Sequence, residues 1–94
     1  MQGKKLSEFI DSLYSNPEME IEYHSKKYLI SGYRSNDGKY ILQVDSIEES
    51  SVQLFYCENE KIETCIEEFE KAKMFDGKTI YEAEHEVNVL YGWK

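Results

Sequence analysis

Proline and glycine are scarce: one proline and five glycines in 94 residues. That composition excludes a low-complexity or collagen-like chain, and it gives the backbone few built-in breaks. Long apolar runs are missing too. No stretch approaches the roughly 18 apolar residues of a membrane span. The opening "MQGKKLSEFIDSLY" is amphipathic, without the apolar segment of a secretory signal. A cytoplasmic protein with no membrane partner is expected. Histidine and cysteine number two each. Cys57 and Cys65, with no histidine near them in sequence, do not match a zinc-binding spacing and read as reduced, buried thiols. Cations are also in deficit: 11 Lys and Arg face 19 Asp and Glu, a net charge of −8 and a pI near 4.7. Phosphate binding needs Lys and Arg to displace counterions, so direct nucleic-acid contact is not expected. The electrostatic match is a basic protein.

What is present suffices for one small core. Hydrophobic residues make up 40% of the chain, and tyrosine supplies eight of the aromatics. A chain of this length buries about 60–65% of its unfolded surface, enough for a single domain over residues 1–94. Leu6, Phe9, Ile10, Leu13 and Tyr14 recur at helical spacing and predict an amphipathic helix. Ser7 or a neighbour is its expected cap, and Asn16-Pro17 its expected stop. Met19, Ile21 and Tyr23 alternate with Glu20, Glu22 and His24, as in a strand with one wet face. His24-Ser25-Lys26 reads as a turn into a second strand, Tyr28 to Tyr33, apolar on both faces and so central. Ser35-Asn36-Asp37-Gly38 suits the positive φ values of a tight hairpin turn. Tyr40, Leu42 and Val44 predict a third strand, Ser46 to Ser51 a loop, and residues 52–57 a fourth strand. A second helix starts near Asn59 as cap. Its stripe is Ile62, Cys65, Ile66, Phe69 and the stem of Lys73, and Asp76-Gly77 ends it. Thr79 and Glu82 form a capping box for a short third helix. Val87, Val89 and Tyr91 close the chain as a strand. The order α-β-β-β-β-α-α-β predicts an α+β fold: an antiparallel four- to five-stranded sheet with helices on one face.

Several fragments invite a chemical reading. Gly77-Lys78-Thr79 matches the end of a phosphate-binding loop, but Ala72 stands where the first glycine belongs, and no strand precedes it. Helix punctuation accounts for all three residues. Glu82-x-x-His85 has the spacing of a carboxylate-bridged metal site. Such sites need two of these units on long helices, and Ile21 stands three positions before His24. A thiol–imidazole dyad would need Cys57 or Cys65 at an exposed position. Neither a cofactor nor a catalytic role is expected, so the chain reads as a non-enzyme.

Charge placement says more. Residues 1–47 carry seven acids and six bases, whereas residues 48–94 carry twelve acids and five bases. The excess therefore sits in the second half. Glu60, Glu63, Glu67 and Glu70 recur at i, i+3, i+7 and i+10, one ridge of the second helix. Glu63 and Glu67 form a like-charge i, i+4 pair, worth about 0.2–0.5 kcal/mol of destabilisation. Tyr81, Tyr91 and Trp93 lie near this acidic half, and large amphipathic rings beside carboxylates suit a protein-binding surface. Glu60, Glu63, Glu67, Glu70, Tyr81 and Glu82 are the expected partner-binding residues. The alternative is a surface kept acidic for solubility alone.

Two longer stretches carry a resemblance. "IEYHSKKYLISGY" is similar to the opening hairpin of many small bacterial proteins, and "FEKAKMFDGKTIYEAEHEVNVLY" to their closing helix, Asp-Gly-Lys-Thr turn, short acidic helix and strand. Together they span 36 of the 94 residues and resemble immunity proteins of polymorphic and contact-dependent toxin systems. The resemblance implies a cytoplasmic, non-catalytic inhibitor of a cognate toxin, possibly a nuclease. Other functions compatible with the charge are a phage-type anti-defence decoy that mimics nucleic acid and a housekeeping interaction module.

Overall fold

A computed structural model describes residues 5–15, 18–47 and 51–91. The chain is α+β, as the sequence order predicts. Helix α1 (Leu6–Ser15) leads into four strands: β1 (Met19–Tyr23), β2 (Lys26–Arg34), β3 (Tyr40–Ile47) and β4 (Ser51–Asn59). Helix α2 (Ile62–Lys71), the one-turn α3 (Ile80–Ala83), a 3-10 turn over Glu84–Glu86 and β5 (Val87–Tyr91) follow. All strand pairs are antiparallel, in the order β4-β3-β2-β1-β5. The first four strands form a meander. The chain then crosses the sheet through α2 and α3 and adds β5 to the free edge of β1. This crossover places the helical layer over one face of the sheet. β2 is the central strand, consistent with its apolar residues on both faces.

The core lies between that layer and the sheet. Phe9 and Leu13 from α1, Ile66 and Phe69 from α2, and Ile21, Ile30, Leu42 and Val44 from the sheet are all fully buried. Each such side chain contributes about 1.5–3 kcal/mol relative to exposure. The Phe69 ring stands edge-on to Phe55 at 6.0 Å and tilted to Phe9 at 6.4 Å, joining α1, α2 and β4. The other sheet face carries Glu20, Glu22, Tyr33, Gln43 and Tyr56, with polar groups turned to solvent.

Five local expectations need correction. Ser7 lies inside α1 and does not cap it; instead the backbone N–H of Lys5 donates to Glu8 Oε1 at 3.1 Å. Asn59 ends β4, and its side chain accepts from the N–H of Lys61, which precedes α2 without any side-chain cap. α2 stops at Lys71, and Ala72 is already extended. Phe75 explains the early stop. It is fully buried and makes edge contacts with Tyr23 and Tyr28, each at 5.5 Å, so the chain must leave the helix and fold inward. Lys73 is therefore exposed, outside the stripe assigned to it. Ser46 and Ile47 belong to β3 and Ser51 to β4, so the strands extend into the expected loop.

The turns are also redistributed. Positive φ at both central residues, the mark of a type I′ turn, occurs at His24-Ser25 (50° and 66°) and at Asp76-Gly77 (54° and 80°). In the Ser35–Gly38 loop only Gly38 has positive φ, at 86°. There the Asp37 carboxylate accepts from the N–H of Lys39 and the hydroxyl of Ser35, holding a wider loop. The expected stop at Asn16-Pro17 and Trp93 lie outside the described residues.

Candidate functional site

α2 is amphipathic, with its apolar side formed by Cys65, Ile66 and Phe69. That burial fixes the opposite side in solvent. Glu63 and Glu67 are exposed there, and Glu70 is half-buried one turn further on. None of Glu63, Glu67 and Glu68 is held in an ion pair among the described residues. Glu70 instead accepts a 2.6 Å hydrogen bond from the hydroxyl of Tyr81 in α3. The pKa of the Tyr81 phenol is pushed up to about 12 by that bond, then by desolvation and the Glu70 charge. Tyr81 as a whole remains 51% exposed.

A second tyrosine closes the other flank. Tyr14, in the last turn of α1, is 44% exposed. Its phenol is raised above the ordinary value of 10.0 by desolvation, then by the charges of Glu63, Glu70 and Glu67. One surface therefore combines three carboxylates from α2 with tyrosines from α1 and α3. Sequence periodicity places Tyr14 with the core stripe of α1. Its position at the margin of that stripe, with a polar tip, is the signal that could have marked it as a surface residue.

The remaining expected residues separate from this group. Glu60 precedes α2 rather than riding on it, and it lines a shallow depression with Lys39 and Lys61. The helical ridge thus has three members instead of four. Glu82 serves the capping box of α3: its Oε1 accepts from the N–H of Thr79 at 2.9 Å, while Thr79 Oγ1 accepts from the N–H of Glu82 at 3.3 Å. These bonds, led by the one from the Thr79 backbone, hold the Glu82 carboxyl below its usual value.

Four ion pairs gather elsewhere, around the β1–β2 turn. His24 Nε2 lies 2.7 Å from Glu86 Oε1, and its Nδ1 lies 3.5 Å from Asp76 Oδ2. Lys26 Nζ reaches Asp76 at 3.2 Å, and Lys78 Nζ reaches Glu86 at 3.8 Å. The His24 ring stacks on Tyr23 at 4.0 Å. Bonding to Lys26 lowers the Asp76 carboxyl, and bonding to His24 lowers that of Glu86. This cluster clasps three segments: the β1–β2 turn, the Asp76-Gly77 turn and the 3-10 turn. Sequence reasoning did not find it, because its members are 62 and 50 residues apart in the chain.

The phosphate-loop fragment dissolves into the same features. Gly77 occupies a left-handed turn position, Lys78 joins Phe75 in a two-residue hairpin and pairs with Glu86, and Thr79 caps α3. Among the described residues, no group of three or more His, Cys, Asp or Glu is placed to hold a metal ion. No helix among them is long and apolar enough to cross a membrane. No protein-family model, no curated protein and no solved structure matches the chain.

Proposed function

We propose that this chain is a small non-catalytic inhibitor that binds a basic protein, acting in the cytoplasm as an immunity protein against a toxin such as a nuclease. One observation carries the reading: exposed Glu63 and Glu67, with half-buried Glu70 one turn further on, line a side of α2 flanked by Tyr14 and Tyr81, while Lys26 and Lys78 pair with acids elsewhere. A helix selected for stability alone would intersperse cations along that face. Uncompensated carboxylates steer a basic partner, and half-exposed tyrosines supply apolar area with a polar tip once it docks.

The absence of a catalytic role rests on chemistry at the nucleophiles. Burial first, then the nearby Cys57, pushes the pKa of the Cys65 thiol up to about 12, so at neutral pH it is protonated and no ready catalytic nucleophile. The hydrogen-bond partners of His24 are Asp76 and Glu86, so the imidazole orients carboxylates and not a thiol.

Co-expression with a basic toxin, should one be encoded beside its gene, tests the reading. A co-purifying complex and restored growth of the host are expected. A toxin that stays free and lethal in the presence of this chain would overturn it.

A further inference from the structure

Cys57 and Cys65 come from different elements and meet in one layer. Cys57 pairs with Leu42 across β4 and β3, and Leu42 is fully buried, so both side chains point toward the helices. Cys65 sits on the buried side of α2, directly above. Its Sγ lies 3.6 Å from the carbonyl oxygen of Cys57 and 3.6 Å from that of Tyr40. Cys65 belongs to the buried apolar cluster, and Cys57 packs against that cluster from β4. Accessibility is unequal: Cys57 is half-buried at the sheet edge, and Cys65 is fully buried.

We propose that Cys57 and Cys65 are a latent disulfide, closed by exchange with a small disulfide oxidant of the glutathione class, that staples α2 to the edge strand β4. The reaction has two steps. The Cys57 thiolate attacks one sulfur of the oxidant, forming a mixed disulfide and releasing one thiol. The Cys65 sulfur, after losing its proton, then attacks the Cys57 sulfur and displaces the second thiol. The protein dithiol loses two electrons and two protons, and one oxidant disulfide becomes two thiols. Cys57 is the attacking residue because it is the one an oxidant can reach. Cys65 resolves the mixed disulfide because the α2–β4 packing holds it beside Cys57 at high effective concentration. Its buried, protonated state makes the second step the slow one.

The bond would act on the face already described. α2 carries Glu63, Glu67 and Glu70 on its outer side and Cys65 on its inner side, so a covalent tie at Cys65 fixes the acidic ridge to the sheet. A cross-link of this kind stabilises chiefly by constraining the unfolded chain.

The native protein incubated with glutathione disulfide tests this directly. After alkylation and intact-mass measurement, the expected product is a monomer lighter by two hydrogens, with a Cys57–Cys65 cross-linked peptide. Its thermal midpoint should exceed that of the reduced chain and return on reduction. In C65S the reaction should stop at a glutathione adduct on Cys57; in C57S the remaining thiol should resist. A wild-type product that stays glutathionylated at Cys57, forms disulfide-linked dimers, or keeps both thiols free would overturn the proposal. The wild-type readout stands even if a serine variant fails to fold.

Discussion

Reversing one charge on α2 separates a recognition ridge from an ordinary helix surface. Glu67 has three helical neighbours at interacting spacing: Glu63 (i−4), Glu70 (i+3) and Lys71 (i+4). Each pair contributes about 0.2–0.5 kcal/mol, and reversing one partner changes it by twice that. In E67K the two repulsive pairs become attractive, and the attractive pair becomes repulsive. The net is one favourable reversal, about 0.4–1 kcal/mol of added stability. Glu and Lys have nearly equal helix propensity, and position 67 is exposed, so backbone and packing terms drop out. Glu68 gives the control. Its charged neighbour at this spacing is Lys71 (i+3), so E68K should lose about 0.4–1 kcal/mol. Both variants carry the same net charge. Thermal or urea denaturation should place E67K above wild type and E68K below it. Since about 1 kcal/mol moves the midpoint by roughly 4–8 °C in a chain of this size, the separation is several degrees. The gap should shrink in about 1 M salt, where the Debye length is near 3 Å. If E67K and E68K shift stability equally, the chain responds to total charge and the ridge has no local cost to explain.

Other perturbations address the turns and the titrating groups. Gly77 has φ of 80° with open space where a Cβ would stand, so G77A should cost about 1–2 kcal/mol through backbone conformation alone, and G77N should cost less; urea midpoints measure both. Tyr81 should be among the last tyrosines to ionise, with its phenol at about 12, and E70Q should return it toward 10.0. Because the folded value is raised, this bond stabilises the neutral phenol below its ordinary value, and the contribution is lost as pH rises through the folded one; ultraviolet titration reads it. Asp76 and Glu86 are lowered, so their contribution is present above their ordinary values of 3.8 and 4.5 and is lost as pH falls below them. H24A should flatten that acid limb of the midpoint-versus-pH curve. An unchanged limb would deny His24 its place in the clasp.

Much of the fold is legible in the sequence because local pattern and burial agree. The Leu6-Phe9-Leu13 stripe of α1, the alternation of β1 and the Thr79–Glu82 box each have one solution, and the structure adopts it. The end of α2 is not legible, because a distant demand overrides a local signal. Asp76-Gly77 resembles a helix stop, but Phe75 must fill the space between Tyr23 and Tyr28, which pulls the chain out of the helix at Lys71. The type I′ turn at His24-Ser25 contains no glycine. Its left-handed residues are tolerated where His24 stacks on Tyr23 and bonds two carboxylates, contacts that only the fold supplies. The acidic face is half visible. Helical spacing aligns Glu63, Glu67 and Glu70, but the approach of Tyr14 depends on how α1 packs against α2, which periodicity does not encode.

The central claim is that the α2 face steers and docks a basic partner. Stopped-flow association with the basic toxin captured by co-expression, at low and physiological salt, tests it most directly. The variant E63Q/E67Q/E70Q removes three charges from the ridge, and E20Q/E22Q/D45N removes three from the far face of the sheet. The ridge variant alone should slow association at low salt, by about 10-fold or more, and flatten its salt dependence. Equal rates for the two variants, or no change in either, would contradict the claim.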